Sequence, residues 1–177
     1  MVWQHLTAFG NSASEAWQLR ARILRLDQIS LTLNFELVAP AAELIWPVAA
    51  PASNRCDELW HSTCLEVFIA KPGDANYWEV NLSPRGDWNV YQLDDYRQGL
   101  RPEASIGSIP IHSTSEPDRH QLQATLALPQ PLIDANRLQA NLCAVVESAN
   151  GSNSYWALSH LGKEADFHAR DGFVLEI

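Results

Sequence analysis

Apolar and polar residues alternate with a period of two through most of this chain, a spacing that predicts strands rather than helices. Residues 20–26 and 29–38 alternate in this way, and Leu31, Leu33, Phe35 and Leu37 fall on one face. The same pattern runs through residues 64–70, 77–82, 88–93, 121–128, 138–147, 154–159 and 172–177. Turn-forming clusters separate them at 71–76 (KPGDAN), 83–87 (SPRGD), 97–110, 114–120 (TSEPDRH), 129–137 and 148–154 (SANGSNS). Pro and Gly sit almost wholly in these breaks, where a fixed φ or a left-handed backbone is useful. One short stretch, residues 11–18, reads as helix. No repeat, low-complexity tract or linker interrupts the series. The expectation is an all-β sandwich with at most a short helix.

The middle of the chain predicts more than its class. Symmetric closure of the loop at 71–76 pairs Glu66 with Asn81 and Phe68 with Glu79. The turn at 83–87 then pairs Asn81 with Asn89 and Glu79 with Tyr91. Directly opposed residues of antiparallel strands point to the same face. One face therefore carries Leu65, Val67, Ile69, Trp78, Val80, Leu82, Trp88 and Val90, a core face. The other carries Cys64, Glu66, Phe68, Tyr77, Glu79, Asn81, Asn89 and Tyr91. Carboxylates and amides beside aromatic rings suit a sugar, which presents paired hydroxyls on its edge and C–H groups on its face. A solvated sheet face with cross-strand pairs is the plainer alternative.

Composition narrows the partners. A chain of 177 residues with 46% hydrophobic and 19% charged residues reads as one globular domain spanning 1–177. Twelve Lys and Arg against 21 Asp and Glu give a net charge of −9, which argues against nucleic acid and anionic membranes as partners. No apolar run approaches the roughly 18 to 20 residues of a membrane span. The N-terminal segment lacks the basic and apolar regions of an export signal, so the expected location is the cytoplasm. Cys56, Cys64 and Cys143 show neither CxxC nor zinc-ribbon spacing and read as buried small hydrophobes in a reducing compartment. Seven tryptophans offer large amphipathic surfaces. Trp78, Trp88 and Trp3 belong to the core by parity or position, and Trp60 with His61 sits at the rim of the polar face.

Two blocks carry a family resemblance. The first runs Leu59-Trp60, Glu66-Val67-Phe68, Tyr77-Trp78-Glu79-Val80-Asn81, Ser83-Pro84 and Trp88. The second is Ser154-Tyr155-Trp156-Ala157-Leu158-Ser159-His160, followed by Asp166-Phe167-His168. In this order they resemble the DOMON-like superfamily, in particular its bacterial murB-like group, and are distantly similar to family 9 carbohydrate-binding modules. The resemblance implies a two-sheet, jelly-roll-like, mostly antiparallel sandwich that binds a small molecule, haem or sugar, on a concave sheet or its rim. Haem-binding members use Met and His as axial ligands, and Met1 is the only methionine here, which disfavours haem. A His-ligated haem through His61, His160 or His168 stays as an alternative. In the carbohydrate modules, Trp rings clamp a sugar while acidic, amide and Arg side chains take its hydroxyls.

The expected ligand-binding residues are Trp60, Glu66, Glu79, Asn81, Tyr91, Arg97, Trp156, His160 and His168. Arg97 either pairs locally with Asp94 and Asp95 or reaches over the face toward Glu79. His160, Asp166 and His168 raise a metal or acid–base possibility, but their spacing matches no established metal motif, and structural hydrogen bonding is the plainer reading. Ser62, Ser159 and Cys64 lack the context of a catalytic nucleophile. The leading expectation is a carbohydrate-binding domain without catalysis. The alternatives are a glycan-acting enzyme using Glu66, Glu79, His160 and His168, a haem binder, and a scaffold that binds another protein.

Overall fold

The computed structural model describes residues 2–177, so Met1, the methionine weighed for haem, lies outside the described residues. The first strands are β1 Gln4–Ala8, β2 Gln18–Arg25, β3 Ser30–Val38, β4 Cys64–Ala70, β5 Tyr77–Leu82 and β6 Trp88–Leu93. They are followed by β7 Arg101–Pro102, β8 Ile111–Ser115, β9 Arg119–Ala127, β10 Gln139–Glu147, β11 Asn153–Ala157 and β12 Leu175–Glu176. Every ladder between them is antiparallel. Hydrogen bonding runs in the order β7-β6-β5-β4-β10-β11-β1-β2-β3-β9-β8, with β12 along the start of β10. Strand β1 is the corner: Gln4, His5 and Leu6 pair with β2, whereas Thr7 and Ala8 pair with β11. The ribbon thus folds into two layers, β1-β2-β3-β9-β8 and β7-β6-β5-β4-β10-β11. No helix among the described residues is long and apolar enough to cross a membrane.

One hydrophobic core joins the layers. Leu31, Leu33, Phe35 and Leu37 of β3 share it with Leu65, Val67 and Ile69 of β4 and Trp78, Val80 and Leu82 of β5. Each such side chain contributes roughly 1.5–3 kcal/mol by leaving water. The hairpin registers are those expected, with Glu66 opposite Asn81, Phe68 opposite Glu79, and Glu79 opposite Tyr91. The second face of these strands is not solvated, however. Strands β4 and β5 are buried along their whole length, because segments 56–62, 94–100 and 160–173 roof that face. Beneath the roof lies a second, smaller core containing Phe68, Tyr77, Tyr91, Phe167 and Phe173.

Some expectations fail for local reasons. Residues 11–18 form turns, not a helix. Ser12 Oγ donates to the Phe9 carbonyl at 2.7 Å and Ser14 Oγ accepts from the Ala16 amide, so serine side chains replace helical bonding. The one α-helix among the described residues is a single turn at Gln130–Ile133, inside what reads as a break. Strands β1 and β8 escape detection because each is short and buries little: only Leu6 in β1 is fully buried, and β8 lies at a sheet edge. Trp3 is not core. It lies half-buried on the outer face, with the guanidinium groups of Arg20 and Arg22 at 4.8 and 4.6 Å from its ring.

Candidate functional site

Between the roof and the β4–β5 floor lies a cavity of about 510 Å³. Its floor holds Glu66 and Glu79, both only 3% exposed. The strand register places them diagonally on one face. Glu66 faces Asn81 across one ladder and Cys143 across the other. Asn81, fully buried, donates its amide to Glu79 Oε1 at 2.8 Å and so fixes that carboxylate. Glu66 Oε1 and Glu79 Oε2 have no hydrogen-bond partner. Burial, and then the charge of Glu79, hold the Glu66 carboxyl well above the usual range. Burial also raises Glu79, opposed by the Asn81 amide and by Arg97. Both carboxyls of the pair are thus shifted toward their protonated forms, Glu66 the more strongly.

Aromatic and aliphatic side chains form the walls: Trp60, Tyr155 and Phe167 with Leu93, Val145 and Leu100. Trp60 belongs to a single 3-10 turn, Leu59–His61, entered through Glu58 in a left-handed conformation (φ 59°). Ser62 and Thr63 anchor that turn, donating to Glu147 Oε2 and the Ile45 carbonyl. The Trp60 ring then rests 6.0 Å from that of Tyr91. Tyr91 is itself fixed by donating to Asp57 at 2.7 Å, and burial with this carboxylate pushes its phenol well up.

The rim is built by long-range polar contacts. Arg97 also adopts left-handed backbone (φ 52°), and its guanidinium donates to Asp166 Oδ1 at 2.9 Å. Tyr96 donates to the other Asp166 oxygen at 2.7 Å, and these contacts hold Asp166 below the usual carboxylate range despite its burial. The Arg97 amide donates to the Tyr77 hydroxyl, which lies 2.7 Å from His168 Nδ1. His168 Nε2 faces Glu79 Oε2 at 3.8 Å, too far for a hydrogen bond. Burial, reinforced by Arg97, lowers His168 to about 4, so at neutral pH it is an uncharged neighbour of Glu79 rather than an ion-pair partner.

Of the residues expected from sequence, the cavity brings together Trp60, Glu66, Glu79, Arg97 and His168. Asn81 and Tyr91 stand behind them, holding Glu79 and Trp60. Trp156 and His160 lie elsewhere. Trp156 is buried in the main core with its indole donating to Ser154 Oγ, because on β11 it has the parity opposite to Tyr155. His160 is spent on the Thr7 carbonyl at 2.8 Å and packs against Phe9. Arg97 pairs with neither Asp94 nor Asp95; Arg101 takes Asp94. Of the imidazoles weighed for haem, His61 and His168 line the cavity, His168 directed at Tyr77 and Glu79, whereas His160 is spent on the Thr7 carbonyl. Among the described residues, no group of three or more His, Cys, Asp or Glu side chains gathers as for a metal. Tyr155, Phe167 and Asn153 were missed. Extending the parity count across the 148–154 turn onto β11 would have found Tyr155, which faces Val145 on the floor side.

No family model matches the chain, and no curated protein matches it. Solved structures do share its fold. A candidate carbohydrate-binding protein from Bacteroides uniformis superposes with a TM-score of 0.70 at 15% identity, covering 98% of this chain and 84% of that one. A family 9 carbohydrate-binding module from Caldicellulosiruptor kristjanssonii in complex with glucose gives 0.53 at 13% identity, covering 93% and 78%. A cellotriose complex of a family 9 module from the same organism gives 0.51 at 13% identity, covering 89% and 72%.

Proposed function

We propose that this protein binds a small carbohydrate, a monosaccharide or the end of a glycan fragment, in the cavity above Glu66 and Glu79. The observation that carries this reading is the pairing of two buried, under-bonded carboxylates with walls of Trp60, Tyr155 and Phe167. Carboxylate oxygens accept from sugar hydroxyls, and aromatic faces cover sugar C–H groups. The fold shared with modules solved with glucose and cellotriose supports the same ligand class. Both sequence blocks that resemble the DOMON-like group meet here. The first supplies Trp60, Glu66 and Glu79, and the second Tyr155, Phe167 and His168. Three free thiols favour a reducing compartment, and we place the protein in the cytoplasm.

A thermal-shift screen against mono- and oligosaccharides tests the reading. A ligand at roughly 100 times its dissociation constant stabilises the folded state by about 2.7 kcal/mol. Glu79→Gln keeps the side-chain shape and removes the charge, so the shift should shrink. Full retention of the shift in both Glu66→Gln and Glu79→Gln would place the ligand elsewhere. Turnover of a bound glycan that vanishes in either variant would replace binding by catalysis.

A further inference from the structure

Among the described residues, neither floor carboxyl forms an ion pair with a Lys or Arg, and Arg97 acts on Glu79 only from a distance while pairing with Asp166. Glu66 and Glu79 lie on neighbouring strands, nearly inaccessible, each with one oxygen that accepts nothing. Around them stand Cys64 on the same strand as Glu66, Cys143 across on β10, Asn81 on β5, and Tyr77, His168 and Arg97 above. Burial keeps both thiols and the Tyr77 phenol protonated and neutral. His168 is neutral as well, although its Nε2 points at Glu79. Arg97, the one Lys or Arg lining the cavity among the described residues, is turned toward Asp166. Uncompensated buried charge is costly, and burial shifts both carboxyls toward their protonated forms.

We infer that the cavity selects sugars bearing a protonated amine over neutral sugars, seating the ammonium group against Glu66 and Glu79 beneath Trp60, Tyr155 and Phe167. The inference rests on the sugar-binding reading and narrows its ligand class to amino sugars. An ammonium supplies three donors and the missing charge together, whereas a hydroxyl supplies only a donor. Hydrogen bonds between ionised groups are roughly twice as strong as neutral ones. The electron-rich faces of the surrounding rings favour a cation further. A cation beside the two carboxyls favours their ionised forms, so protons held by the pair pass to the solvent when the amine binds.

Isothermal titration at neutral pH with glucosamine, glucose and N-acetylglucosamine, in two buffers of different ionisation enthalpy, tests this directly. Glucosamine should bind at least about tenfold more tightly than glucose. N-acetylation, which removes the charge, should abolish that preference. Only glucosamine should release protons. Glu66→Gln retains the volume and should lose both the preference and the proton release; if it does not fold, the wild-type comparison of the three sugars still decides. Equal affinity for glucose and glucosamine, without proton release, would overturn the amine inference and leave the sugar reading standing. Failure of all three sugars to bind, together with a null screen of other sugars, would overturn both. Stabilisation by calcium or magnesium chloride alone, lost in Glu66→Gln, would assign the carboxylates to a metal and overturn the amine inference.

Discussion

At the scale of single residues, the site is governed by two groups whose environments push their protons in opposite directions. Glu66 is raised above its ordinary value of 4.5 by burial and by Glu79, so the folded state keeps a proton that the unfolded chain releases. Its contribution is fully present below about 4.5 and is lost as pH rises through the folded value. Urea unfolding from about pH 5 to 9 should therefore show wild-type stability falling relative to Glu66→Gln. Parallel curves would mean that Glu66 ionises freely in the folded protein. His168 behaves in the reverse sense. Burial lowers it from 6.5 to about 4, so the folded state binds fewer protons than the unfolded one. Its contribution is present above 6.5 and is lost as pH falls through about 4. His168→Gln, which keeps a partner for Tyr77, should remove an acid loss on the order of 3 kcal/mol, read as the difference between the two stability curves.

At the scale of elements, strands β4 and β5 carry the floor carboxyls, while β6, β10, β11 and the roof segments supply the walls. Stability and binding are therefore separable. Leu33→Ala, in β3 of the opposite layer, should cost roughly 2–5 kcal/mol in denaturant melts and leave sugar affinity unchanged. Trp60→Ala should do the opposite, shifting stability by about 1 kcal/mol or less while weakening sugar binding at least about tenfold. The floor was legible in the sequence, because two short turns fix the register and the period of two assigns each face. The roof was not. Asp166 meets Tyr96 and Arg97 some 70 residues away, and no local pattern encodes such a contact. Parity without a register misleads as well. Trp156 has the more conspicuous side chain on β11, yet its neighbour Tyr155 faces the cavity. The burial of both faces of β4 and β5 also follows from the roof, so alternation predicted a polar face where the structure has a small second core.

At the scale of the whole molecule, β1 passes from one layer to the other and closes the ribbon around its main core, leaving the outer face of the β4–β5–β10 layer for the roofed cavity. The chain carries a net charge of −9, a long-range field that favours cationic over anionic ligands. Glucosamine affinity should accordingly fall with added salt more steeply than glucose affinity, as titrations at low and high ionic strength would show. Left-handed backbone occurs at Arg97, which lines the cavity, and at Glu58, which precedes the turn carrying Trp60. The most direct test of a sugar site between floor and roof is a crystal structure of the protein soaked with glucosamine and, separately, with glucose. A sugar ring should appear in the cavity against Trp60 or Tyr155, with polar groups within about 3.2 Å of Glu66 and Glu79. An empty cavity at saturating sugar, or a ring seated instead beside Trp3 on the outer face, would contradict it.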